Sequence, residues 1–99
     1  MFTKHHILKS WPEFFSPLES GVQTYDLRFN DRKYSVGDRI TYREFDDRKG
    51  KYTGRELKKR ICHMTEGVGP GAITPLKGLA SRFVILGLDD LNSGVEEGE

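Results

Sequence analysis

The sequence predicts a small α+β fold, a curved mixed sheet closing partway into a barrel against a packed helix. Three observations lead there. Apolar residues first recur at helical spacing between Ser10 and Gly21, and from Val22 onward their period changes to two. The period-two runs are short and separated by tight polar turns, as in small barrels and curved sheets. Strands and helices do not alternate, which excludes a doubly wound parallel sheet. One or two short helices are expected in all.

The elements follow in chain order. Thr3 to Lys9 reads as a short strand. Ser10 is placed to cap the helix after it, with Glu13 three residues on and Pro12 in the first turn. Trp11, Phe14, Phe15 and Leu18 mark its expected buried face. Pro17 removes the bond to the Glu13 carbonyl and should bend the helix near Ser16, and Gly21 suits its C-terminal cap. Tyr25, Leu27 and Phe29 alternate with Thr24, Asp26, Arg28 and Asn30, predicting a strand with its apolar side inward. Turns at Asn30-Asp31-Arg32 and Val36-Gly37-Asp38 lead to a strand over Arg39 to Phe45, with Ile40 and Tyr42 inward. After a polar hairpin at Asp46 to Gly50, a further strand lies within Tyr52 to Met64. Thr65 to Gly78, with Gly67, Gly69, Gly71, Pro70 and Pro75, reads as a long loop forming a flexible rim. Arg82 to Leu88 is the most apolar strand, and Asn92 to Glu99 reads as a solvated tail.

The chain has 99 residues, room for one core, and its 11% aromatic content is too high for a disordered chain. No apolar run approaches the roughly 18 residues of a membrane span, and the N-terminus lacks the layout of a secretory signal. A single cysteine, Cys62, excludes an internal disulfide framework. A cytoplasmic protein with no membrane partner is expected, with a monomer favoured. The net charge of +1 conceals an uneven distribution. Residues 28–60 carry +6, whereas residues 89–99 carry −5. Such asymmetry favours an anionic partner, nucleic acid foremost, over an evenly charged surface.

Several segments resemble a known family. His6-Ile7-Leu8-Lys9, Pro12-Glu13-Phe14-Phe15 and Gly21 to Arg28 are similar to ASCH-type domains of the PUA-like superfamily. Arg28-Phe29-Asn30-Asp31-Arg32, Val36-Gly37-Asp38 and Tyr52-Thr53-Gly54-Arg55 resemble the DUF3850 subfamily, over about residues 5–88. The resemblance implies a small PUA-like mixed β pseudo-barrel over residues 1–91, followed by an acidic flexible tail, 92–99. It also implies a cleft facing RNA, single-stranded nucleic acid or a modified nucleotide. ASCH-type domains usually read G-x-K-x-x-E-x-R, where this chain has Gln23 and Asp26 between the matching Gly21 and Arg28. A branch that hydrolyses the acetyl amide of N4-acetylcytidine carries lysine at position 23 and threonine at 26. Glutamine cannot supply the amine that activates a hydroxyl, so that activity is disfavoured.

The candidate ligand residues are Lys9, Thr24, Asp26, Arg28, Arg32, Tyr52 and Arg55. Thr24, Asp26 and Arg28 share one face of a strand, where an arginine fork could take phosphate or a base edge. A surface ion pair is the bland alternative. Lys9 stands before a helix N-terminus, and Arg32, Tyr52 and Arg55 supply charge and a stacking ring. Tyr52 could equally fill the core. Lys58-Lys59-Arg60 reads as a solvated strand edge. Asp26 and Glu44 are the weak catalytic candidates, as an acid/base pair. His5, His6, Cys62 and His63 match no zinc spacing, so no metal and no cofactor are expected, and Cys62 reads as a small buried hydrophobe. The expected function is nucleic-acid or nucleotide binding through a basic cleft, with binding favoured over catalysis. The alternatives are a small hydrolase acting on a modified nucleoside and a protein-interaction module whose basic face meets an acidic partner.

Overall fold

Strand β1 (His5–Ser10) leads directly into helix α1 (Pro12–Ser20), followed by β2 (Tyr25–Phe29), β3 (Arg39–Asp46), β4 (Lys51–Gly67), the two-residue β5 (Pro75–Leu76) and β6 (Phe83–Asp90). This computed structural model describes residues 3–67, 75–76 and 78–91. The expected acidic tail lies outside the described residues, as does most of the expected glycine-rich rim. Of that segment, Thr65 to Gly67 extend β4, and β5 pairs with β4 in parallel.

The strands form one sheet in the order β1-β3-β4-β6-β2, with β5 beside β4. β1 runs parallel to β3, and the β3–β4, β4–β6 and β6–β2 pairs are antiparallel. The sheet curls into a half-barrel, and one short helix completes a small mixed β fold. Register shifts between Arg43 and Phe45 and between Ile61 and His63 interrupt the ladders. Such bulges bend and twist a sheet locally.

Inside the curl, Leu8, Phe15, Leu18, Tyr34, Ile40, Tyr42, Ile61, Val84, Leu86 and Leu88 form one buried cluster. Burying a Phe, Leu or Ile side chain contributes about 1.5–3 kcal/mol. The helix adds only Phe15 and Leu18 to it.

The start of α1 differs from expectation. Ser10 stays in the β ladder opposite Glu44, so the chain leaves the sheet only at Trp11. Trp11 is the N-cap in extended conformation, and no side chain caps the helix. Its carbonyl instead accepts from the Phe14 and Phe15 amides at 2.9 and 2.8 Å. The helix continues past Pro17 to Ser20, and Gly21 closes it at φ 85°, a left-handed conformation open to glycine at little cost.

Four burial expectations are overturned. Trp11 and Phe14 are 45% and 53% exposed, because the sheet covers only the Phe15 and Leu18 side of the helix. Strand β2 is turned the other way from expectation. Asp26 is buried while Tyr25, Leu27 and Phe29 are exposed, since Asp26 finds hydrogen-bond donors inside the curl. Alternation reports which residues share a face, not which face turns inward. Lys58-Lys59-Arg60 is not an edge, because β4 lies between β3 and β6. Lys59 is only 6% exposed and pairs with Asp90. Cys62, expected buried, is exposed at the second bulge. Partial burial, then the neighbouring Asp89 carboxylate, hold its thiol above the ordinary cysteine range.

Candidate functional site

The sheet order leaves β1 and β2 at opposite ends, and α1 joins the two across the opening of the curl. A cleft of about 490 Å³ lies there. Lys9 and Ser10 of β1, Trp11, Phe14 and Leu18 from the helix region, and Tyr42 of β3 line it. Gln23 and Tyr25 to Arg28 form the remaining side. Trp11, Phe14 and Leu18 recur at helical spacing, so one stripe of α1 faces the opening while Phe15 enters the core. The Trp11 and Phe14 rings lie 6.3 Å apart, tilted by 34°.

At the centre, Asp26 Oδ2 accepts from the Tyr42 hydroxyl at 2.7 Å and from Arg28 Nε at 2.8 Å. Oδ1 takes neither of these bonds. Tyr42 is fully buried, and burial first, then the Asp26 charge, push its ionisation far above the ordinary tyrosine range. It therefore acts as a fixed donor. Burial opposes the charge of Arg28, but Asp26, with Tyr34 and Tyr42, outweighs it and holds the guanidinium above its usual pKa. The arrangement presents a permanent cation with unused fork donors and a carboxylate oxygen, side by side between aromatic rings.

Tyr34, in the β2–β3 connection, packs its ring 4.6 Å from that of His6. Its hydroxyl is the one buried side-chain polar atom among the described residues without a hydrogen bond. Burial raises its pKa. The Arg28 charge pulls the other way from close by, without the geometry of a hydrogen bond.

The structure brings together only part of the sequence-predicted set. Lys9, Asp26 and Arg28 line the cleft, although the Lys9 ammonium rests 4.3 Å above the Phe45 ring. Thr24 lies just ahead of β2, exposed, and its carbonyl accepts from the Leu88 amide at 2.9 Å. Arg32 is exposed in the β2–β3 connection. Tyr52 is the second residue of β4, with the Arg43 guanidinium 4.1 Å above its ring. None of these three lines the cleft.

Arg55 is engaged elsewhere. It grips Glu44 through Nε and Nη2 at 2.9 and 3.2 Å and reaches Glu19 on α1 at 3.0 Å. Hydrogen bonds from Arg55 first, and then from Thr53, outweigh burial and hold the Glu44 carboxyl below its ordinary range. Glu44 thus stands as a buried anion that ties β4 to β3, and it does not line the cleft. Of the expected metal-reading residues, His6 bonds Asp38 at 2.8 Å and His5 bonds Thr41 at 2.7 Å, on opposite faces of β1.

Trp11, Phe14, Leu18, Tyr25, Leu27 and Tyr42 are the lining residues that sequence reasoning assigned to the core. A helix this short, with four large apolar residues, offers more ring surface than one sheet can cover. That excess is the signal from which an exposed stripe could have been found.

A half-barrel with one short helix and an aromatic cleft at its seam defines a small mixed β domain. The chain belongs to the family described as a domain of unknown function, DUF3850, whose model matches residues 5–88. Curated proteins provide no match to it. No described helix is long and apolar enough to cross a membrane.

Proposed function

We propose that the cleft binds a nucleobase, presented as a free nucleotide or as one unstacked base of single-stranded RNA. The observation that carries the reading is the placement of the exposed Trp11 and Phe14 rings in the same cleft as the Asp26–Arg28 pair. Flat apolar rings suit a base face, for which stacking is worth about 1–3 kcal/mol. Asp26 offers an acceptor and Arg28 offers donors to the base edge or its phosphate. The cleft volume of about 490 Å³ falls within the roughly 300–1,000 Å³ of small-ligand sites. Likeness to ASCH-type domains of the PUA-like superfamily adds support, since members of that superfamily bind RNA or modified bases. Gln23 and Asp26, where that pattern has lysine and glutamate, weigh toward binding over hydrolysis.

Trp11 is the sole tryptophan, so its fluorescence reports on the cleft directly. Titration with the four ribonucleoside monophosphates should quench or shift it, and Arg28→Ala should weaken the response about tenfold or more. Emission unchanged by all four at low salt overturns the reading. Turnover of an acylated nucleoside would transfer the assignment to hydrolysis.

A further inference from the structure

We infer that the convex face of the sheet, on the side away from the core, is a second and separate binding surface for the phosphate backbone of single-stranded nucleic acid. The register places Lys9 on β1, Arg39 and Arg43 on β3, and Lys58 and Arg60 on β4 together on this face. The opposite face carries Leu8, Ile40, Tyr42 and Ile61 into the core. Contacts between side chains confirm the placement. His5 meets Thr41 at 2.7 Å, and Arg43 meets Glu56 at 3.4 Å. Two carboxylates oppose the five cations among the described residues of these ladders, Glu56 and, at 3.6 Å from Arg60, Asp89. Most of the positive charge of residues 28–60 thus lies outside the cleft, which holds Arg28 and Lys9 against Asp26.

The layout matches a polyanion of regular spacing. Alternate residues on one strand stand about 6.6 Å apart and neighbouring strands about 4.8 Å apart, so the cations form a grid across three strands. Lys9 and Arg43 lie over the Phe45 and Tyr52 rings at 4.3 and 4.1 Å, which holds two of the long side chains in place. A grid of cations without an apolar pocket suits phosphate contacts, which carry no sequence information, better than the buried anchors typical of protein partners. Lys9 also borders the cleft, so one strand could cross from one site to the other at β1.

The test measures binding of a labelled oligouridylate and of uridine monophosphate to the full chain over a salt series. Arg39→Gln with Lys58→Gln removes two exposed cations from the face away from the core. The double variant should lose about tenfold in oligouridylate affinity at low salt, and its log–log salt slope should become shallower by about 1.4. Uridine monophosphate quenching of Trp11 should be unchanged. The charge-conserving pair Arg39→Lys with Lys58→Arg should bind as the parent does, separating lost charge from lost folding. Oligouridylate affinity equal in parent and double variant overturns the inference, as does polyglutamate binding as tightly as oligouridylate. If mononucleotides leave Trp11 silent while the double variant still loses oligouridylate, the cleft reading fails and this one stands.

Discussion

The Tyr42 hydroxyl donates to Asp26 at 2.7 Å across the seam of the half-barrel, joining β3 to β2, which are not neighbours in the sheet. Backbone pairing alone leaves β2 attached only to β6 among the described strands. The same bond fixes the carboxylate that faces the cleft, so the seam and the candidate site share one contact. Tyr42→Phe should lower stability by about 1–2 kcal/mol in urea unfolding, and should weaken nucleotide binding with it. Unchanged stability would show that the bond does not hold the seam.

Tyr34 provides the contrasting case. Its buried hydroxyl has no hydrogen bond, and the nearby Arg28 charge offsets its desolvation only in part, so Tyr34→Phe removes a polar atom that gains little from the fold. Stability should stay the same or rise by up to about 1 kcal/mol, opposite in sign to Tyr42→Phe. Paired urea melts of the two variants test this directly.

Trp11 and Phe14 should separate binding from stability. Because both are about half exposed, Trp11→Ala and Phe14→Ala should change the unfolding free energy by less than about 1 kcal/mol. Phe15→Ala, from the fully buried ring one residue on, should cost about 3–5 kcal/mol. Calorimetric nucleotide binding should weaken by about 1–3 kcal/mol in the first two variants. A large stability loss in Trp11→Ala would return that ring to a core role.

Asp38 sets an acid-side dependence. Burial would raise its carboxyl pKa, but donors from the Lys4 amide, His6 and the Ser35 amide together hold it below the ordinary value. A depressed folded pKa contributes stability that is complete above the unfolded value of about 3.9 and is lost as pH falls through the folded value. Asp38→Asn should therefore be less stable than the parent near neutrality by about 1–3 kcal/mol, with the gap narrowing below about pH 4. Thermal melts across that range check the sign.

Gly67, at the end of β4, tests a close approach. A Cβ there would lie 2.0 Å from the Ala80 carbonyl oxygen, a backbone atom that cannot swing aside. Gly67→Ala should cost at least about 1–3 kcal/mol, the range for overpacked sites. At Gly50, where no atom lies within 4 Å, the penalty of Gly50→Ala comes only from its positive φ of 68°, about 1–2 kcal/mol. Thermal melts of the two variants, compared with the parent, check both values.

Much of the element order was legible because it rests on local signals. Pro12 and Gly21 bracket the helix, and the period-two runs around Ile40, Leu57 and Val84 became strands. The DUF3850 resemblance was legible too, in motifs such as Val36-Gly37-Asp38. Asp26 and Arg28 were read as sharing a strand face, and they do line the cleft. Arg55 illustrates what was not legible. Its partners Glu44 and Glu19 lie 11 and 36 positions away, and only folding shows that its fork is occupied.

The sequence by itself determined the class of fold, the helix that follows the first strand, and the concentration of positive charge in its central third. Those features follow from neighbours a few residues apart, through periodicity, turn residues and composition. Only the tertiary structure decided which way β2 faces, that β4 is interior, and that the Trp11 and Phe14 rings stay in the open. It also decided that Arg39, Arg43, Lys58 and Arg60 gather on the convex face while the Arg28–Asp26 pair occupies the seam. Each of these depends on which strands become neighbours. That is set by the closing of the whole sheet around one core, where Asp26 meets the Tyr42 donor inside and Leu27 is left in the open.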